Sequence, residues 1–99
     1  KEVIFMESSL ETLREEINGI DENIIGLLSK RMEVAKKIAA LKKEKGIPVE
    51  DKERERTLLL KLKIEARKNN LSEDLVSYVF GAIISHSKLI QSKLLEEQE

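Results

Sequence analysis

The sequence predicts an all-α protein built from one long helix and two shorter helices. Three observations point to this fold class: apolar residues recur at steps of three and four, no segment alternates apolar and polar residues as a strand would, and the 99 residues include only four glycines and one proline. Charged residues make up 37% of the chain and hydrophobic residues 40%, a mixture typical of helices with charged outer faces. A chain of this length has room for one domain.

The longest predicted helix ends at Lys45, because Gly46 and Pro48 are helix-stop signals. Ser8 and Glu11 have the spacing of a capping box, which predicts that the helix begins there. Roughly 37 residues at 1.5 Å per residue give a helix about 55 Å long. Its apolar residues follow an almost strict heptad pattern, and we call this face the heptad stripe: Leu10, Leu13, Ile17, Ile20, Ile24, Leu27, Val34, Ile38 and Leu41.

The two shorter helices follow without a low-complexity linker. Asp51 is the predicted N-cap of a helix over residues 52–68, which ends at residues 69–70, both asparagine. Ser72 is the predicted N-cap of a third helix, which begins with acidic residues suited to its positive end.

The shorter helices can cover only part of the heptad stripe, so we expect the rest of it to pack against a second chain. A closed two-fold dimer is the commonest solution, and the predicted architecture is therefore an intertwined all-α homodimer. The alternative is an ordinary three-helix bundle with a frayed end. We expect residues 8–99 to form a single helical domain and residues 1–7 to be an N-terminal extension of unknown role.

Composition excludes several function classes. Eighteen basic against nineteen acidic residues give a net charge of −1, and aromatic residues make up 3%, so a nucleic-acid partner is not expected. The chain has no cysteine and one histidine, so thiolate sites, Cys nucleophiles and His-rich metal sites are excluded, and no metal is predicted. No apolar run approaches the ~20 residues that span a bilayer, and no signal segment opens the sequence. We therefore expect a cytoplasmic protein without a membrane partner.

Arg31 interrupts the heptad stripe, seven residues after Ile24 and seven before Ile38. Because burying an unpaired charge is expensive, this guanidinium needs a partner. One interpretation is a buried ion pair, or a side chain that extends to solvent. The other is a guanidinium held in a dry pocket to bind an anion with two parallel hydrogen bonds.

Further polar residues lie on or beside apolar faces. Each can be explained alone by solvation, capping or hydrogen bonding within the core, but together they suit a small, doubly anionic ligand enclosed between helices. They include no nucleophile–base pair and no glycine loop for phosphates, so any chemistry must come from positioning and electrostatics. The set consists of Arg31, Lys42, Arg54, Glu55, Ser87 and Gln91.

A series of short motifs gives the sequence a family resemblance. They are residues 13–17 (LREEI), 20–22 (IDE) and 27–31 (LLSKR), Lys42 before a Gly-Ile-Pro-Val turn, residues 51–56 (DKERER), and Ser87 followed by Ile90 and Gln91. In order and spacing they resemble the all-α (AroQ-class) chorismate mutases, over about residues 9–95. The resemblance implies an isomerase that converts chorismate to prephenate in phenylalanine and tyrosine synthesis, without a cofactor, as an intertwined dimer with two sites.

The resemblance also implies how the substrate's two carboxylates are bound. Arg14, Arg31 and Arg54 would engage this anionic face, with Ser87 assisting. Arg14 and Arg31 are about 25 Å apart along a straight helix, which is much longer than chorismate. We therefore expect Arg14 to reach in from the other chain, so that each active site is shared between the two chains.

The remaining implied roles concern the breaking bond and the ring. Lys42 and Gln91 would donate hydrogen bonds to the ether oxygen, while Glu55 and the backbone near Asp51 would hold the ring hydroxyl. The rearrangement is unimolecular and needs no acid, base or nucleophile. Because charge builds on the ether oxygen as its bond breaks, a cation and a neutral donor aimed there bind the transition state better than the substrate.

Two other functions fit parts of the same pattern. An isochorismate-pyruvate lyase resembles this family in architecture and in its cationic site. A catalytically silent helical interaction or regulatory domain would use the same residues as ordinary surface and core polar groups.

Overall fold

The computed structural model describes residues 2–97, with the side chains of residues 9–94 and of Glu96. Three helices make up this part of the chain: α1 (Glu2–Lys45), α2 (Lys52–Lys68) and α3 (Glu73–Glu97). No strand occurs among residues 2–97, so the prediction of an all-α protein with one long helix and two shorter ones is confirmed.

The predicted start of the long helix is wrong, because α1 begins at Glu2 and Ser8 lies inside it. Neither glycine nor proline occurs before Ser8, so nothing in this segment stops the helix from extending towards the N-terminus. Each added residue gains a backbone hydrogen bond once a helix exists, and this outweighs a local capping pattern. That residues 1–7 are an N-terminal extension of unknown role stays a prediction, since residue 1 and the side chains of residues 2–8 lie outside the described part.

The end of α1 is closed by its own backbone. Gly46 has φ +68°, a left-handed conformation that favours glycine. The N–H groups of Gly46 and Ile47 donate to the carbonyls of Lys43 and Lys42 at 3.2 and 2.8 Å, which is the Schellman pattern of helix termination. The predicted stop at Gly46 is confirmed.

Both shorter helices have the predicted N-caps. The Asp51 carboxylate accepts a hydrogen bond from the Arg54 N–H at 3.0 Å, and the Ser72 hydroxyl accepts one from the Leu75 N–H at 3.2 Å. Asn70, with φ 57°, ends α2 in the left-handed conformation that asparagine tolerates. These local signals fix α2 over the residues predicted from the sequence.

The chain divides into two compact units, Lys1–Glu33 and Val34–Glu99. The second unit contains the last turns of α1 together with α2 and α3. Here α2 packs against α3, and both helices contribute buried apolar residues, namely Ala66 from α2 and Val76 and Ile84 from α3.

An ion pair joins the end of α2 to the start of α3. The Arg67 guanidinium meets the Glu73 carboxylate through both oxygens, at 3.0 and 3.1 Å. The hydrogen bond from Arg67 holds the pKa of Glu73 below its usual value. A lowered carboxyl pKa stabilises the fold above the ordinary carboxyl range, and this contribution is lost as the pH falls through the pKa of the folded state.

The heptad stripe remains open to solvent in the single chain. Every one of its side chains is between 42% and 64% exposed. A continuous apolar face of this kind on a helix indicates a surface that packs against something else.

Candidate active site

Lys42 lies in the last turn of α1 and is half-buried. Its Nζ donates a hydrogen bond to the Val49 carbonyl at 2.9 Å. The left-handed turn at Gly46 reverses the chain, so that the loop after α1 comes within reach of the lysine. An ammonium group has three N–H donors, so two remain for a ligand. The structure makes Lys42 a cation fixed beside the loop at residues 46–51, rather than a freely solvated one.

The first turn of α2 carries three predicted site residues. Asp51 is exposed and its carboxylate caps the helix, so the backbone at Asp51 is held in a defined extended conformation with φ −140° and ψ 91°. The side chain of Arg54 is exposed, whereas Glu55 is half-buried and faces α3.

Lys88 on α3 holds the Glu55 carboxylate. Its Nζ lies 2.8 Å from Glu55 Oε1 and 3.7 Å from Glu50 Oε1. The hydrogen bond to Glu55 is the largest cause of a raised pKa for Lys88, and the charges of Glu55 and Glu50 act in the same direction. Sequence reasoning missed Lys88, although its position immediately after Ser87 and three residues before Gln91 was a signal.

Ser87 and Gln91 are both buried on α3, at 5% and 8% exposure. They continue the inward face that includes Ile84, because the steps of three and four keep residues on one side of a helix. Gln91 Oε1 is buried and has no hydrogen-bond partner among the described residues. An unsatisfied buried acceptor costs about 1–3 kcal/mol, so a hydrogen-bond donor that reached Gln91 Oε1 would be stabilising.

Arg14 and Arg31 both belong to the first unit. Arg14 is exposed and Arg31 is half-buried. Seventeen residues of α1 separate them, which at the helical rise is about 25 Å. A single chain does not bring these two guanidinium groups together.

Within the second unit, two contacts bring predicted residues towards one another. Lys42 reaches the loop just before Asp51, and Glu55 reaches α3 beside Ser87 through Lys88. Neither of these contacts forms an enclosed cavity. The depression in this region is open, and it is lined not by the predicted residues but by Val49, Glu50, Ser85, Lys88, Leu89 and Ser92.

Among the described residues, no group of three or more histidine, aspartate or glutamate side chains is arranged to hold a metal ion. No helix in this part of the chain is both long and apolar enough to span a bilayer.

Comparison with known proteins decides the family. The model of the family described as chorismate mutase type II matches residues 13–92. This chain belongs to the chorismate mutase type II family. The resemblance inferred from the short motifs is therefore confirmed, and the matched segment contains every predicted site residue.

Several members of the family have curated names. The chain is 32% identical to the chorismate mutase of Methanocaldococcus jannaschii over 94 residues, which cover 95% of both chains. It is 42% identical over 90 residues to a bifunctional chorismate mutase/prephenate dehydratase of Buchnera aphidicola, and 35% identical over 83 residues to the T-protein of Haemophilus influenzae. The matches cover 91% and 84% of this chain but only 23% and 22% of those two longer relatives.

Proposed function

We propose that this chain converts chorismate to prephenate, without a cofactor, as an intertwined homodimer whose active sites are shared between the two chains. The observation that carries the proposal is family membership over residues 13–92, together with a relative of equal length named chorismate mutase. The corresponding role is a cytoplasmic step in phenylalanine and tyrosine synthesis.

The arrangement around Lys42 fits a reaction that needs positioning and charge stabilisation. Its ammonium is fixed by Val49 at 2.9 Å, and the two remaining N–H groups can point towards an ether oxygen that becomes negative as its bond breaks. Gln91 is buried on the same face of α3 as Ser87, and its amide N–H₂ would supply the neutral donor. Because Lys42 is held by its hydrogen bond to Val49 before the substrate arrives, little reorganisation of this cation is needed in the transition state.

The arginines suit the two carboxylates of the substrate. Arg31 and Arg54 would bind them with bidentate geometry, Ser87 would assist, and Arg14 would come from the other chain. Glu55 and the backbone at Asp51 would hold the ring hydroxyl.

The exposed heptad stripe supports the dimer. Aliphatic side chains that are about half exposed along most of α1 leave a large apolar surface in water. Packing two such stripes together would remove this surface from water, with a gain of roughly 25 cal/mol per Å². The same association would bring Arg14 of one chain towards Arg31 of the other, which one helix cannot do.

The test is a product analysis with a matched control. The purified chain is incubated with chorismate and followed by proton NMR, alongside Lys42→Met and the exposed-lysine control Lys93→Met. We expect prephenate from the wild type and from Lys93→Met, and a rate at least about 100-fold lower from Lys42→Met.

The alternative functions give other results. Release of pyruvate from isochorismate, without formation of prephenate from chorismate, would show that the chain is an isochorismate-pyruvate lyase instead. Failure to turn over either substrate, and to bind a bicyclic mimic of the transition state, would indicate a silent interaction domain.

A further inference from the structure

Glu55 presents a problem for the binding of a dianion. It is a half-buried carboxylate in a site that, under the proposed function, binds a dianion, and like charges repel strongly where water is scarce. A glutamate side chain also has three rotatable bonds, so it must be fixed if it is to accept a hydrogen bond from a particular hydroxyl.

Lys88 both offsets the charge of Glu55 and fixes the orientation of its side chain. Its Nζ lies 2.8 Å from Glu55 Oε1, so the positive charge offsets the carboxylate and one oxygen is held in place. Glu55 Oε2 remains able to accept a further hydrogen bond, because a carboxylate has about four lone-pair sites. Glu50, at 3.7 Å, holds the lysine from the loop side.

We propose that Lys88 is a positioning residue that orients and neutralises Glu55, so that Glu55 can bind the ring hydroxyl of chorismate without repelling the dianion. This inference rests on the proposed function and deepens it, since it adds a residue that determines recognition of the hydroxyl. Lys88 touches Glu55 rather than the substrate. The hydroxyl takes no part in the bonds that form and break, so Lys88 acts on substrate binding and not on the chemical step.

The first experiment separates KM from kcat. We expect Lys88→Met to raise KM for chorismate about tenfold with kcat nearly unchanged, as when an interaction that is equal in the ground and transition states is lost. Lys88→Arg should keep most of the affinity because it preserves the charge. Lys93→Met on the same helix is the control and should behave as wild type, and circular dichroism melts check that every variant is folded.

The second experiment is a double-mutant cycle with Glu55→Gln. Once Glu55 is uncharged, Lys88 has no carboxylate to neutralise, so adding Lys88→Met should change KM by less than about threefold. An equal rise in KM in both backgrounds would overturn the proposal, because Lys88 would then bind the substrate directly. An unchanged KM in Lys88→Met would overturn it too.

A third measurement does not depend on turnover. The Lys88 ammonium is titrated by NMR in the wild type and in Glu55→Gln. Its raised pKa should fall towards the ordinary lysine value when Glu55 loses its charge, while Glu50 still lies 3.7 Å from it. A normal Lys88 pKa in the wild type would overturn the contact on which the proposal stands. Absence of chorismate turnover in the wild type, with the Lys88 pKa still raised, would instead overturn the proposed function.

Discussion

The heptad stripe can be tested by placing charges in its centre. Ile17 and Ile24 are 56% and 49% exposed, and they are two turns apart on the same face of α1. The variant Ile17→Lys/Ile24→Lys should dissociate the proposed dimer, because each lysine would have to be buried against the other chain.

The magnitude follows from the exposed fractions. Full burial of an isoleucine side chain contributes about 1.5–3 kcal/mol, so covering the exposed half contributes about 1 kcal/mol. Replacing two isoleucines in each of two chains removes about 4 kcal/mol from the free energy of dimerisation. This weakens the dimer about 10³-fold before the desolvation of lysine is counted.

The assay is sedimentation equilibrium over a range of protein concentrations, with chorismate turnover measured on the same samples. Leu60→Lys is the matched control, since Leu60 on α2 is 64% exposed and lies outside the stripe. We expect the control to remain a dimer and the double variant to become monomeric and inactive. A double variant with unchanged association, or a wild-type monomer with full activity, would refute the reasoning.

Three other predictions concern individual site residues. Co-refolding inactive Arg14→Ala with inactive Arg31→Ala should restore activity, because one of the two sites in each heterodimer then holds both arginines. No recovery would contradict shared sites. Gln91→Glu should turn a flat profile of kcat/KM against pH into one that falls as the pH rises through the pKa of the new carboxyl. That pKa is about 4.3 in water, and burial would raise it while Lys42 would lower it. A profile parallel to that of the wild type would show that Gln91 does not contact the breaking bond. Lys42→Met should lower the free energy of unfolding by about 1 kcal/mol, through the lost hydrogen bond to Val49, in addition to its loss of turnover; an unchanged midpoint in urea would show that this bond adds nothing to stability.

The sequence predicted the helices well where a short-range signal fixes them. Asp51, Ser72 and Gly46 are caps whose geometry depends on neighbours within a few residues, and the structure confirms all three. The predicted start of α1 was wrong because helix extension depends on the whole preceding segment and not on the best capping motif within it.

The contacts of the site were harder to predict. Lys88 and Glu55 are far apart in the sequence, and their pairing depends on how α3 lies against α2, which no local pattern specifies. The acceptor for Lys42 is a backbone carbonyl. Because every residue has one, nothing in the sequence marked Val49 as the acceptor. Periodicity identified the apolar face of α1 that is about half exposed in the single chain, but not what packs against it.

The open face of α1 has a consequence for how the protein folds. The α2–α3 pair closes within one chain and over a short loop, so it should form in a first-order step with a rate independent of concentration. Leu13 and Ile20 on α1 are more than half exposed, and a helix gains most of its stability from packing of its apolar face. Under the dimer proposal, completion of α1 becomes a bimolecular event, so the last phase of refolding should accelerate in proportion to protein concentration. Completion of α1 and assembly of the active site would then be a single kinetic step.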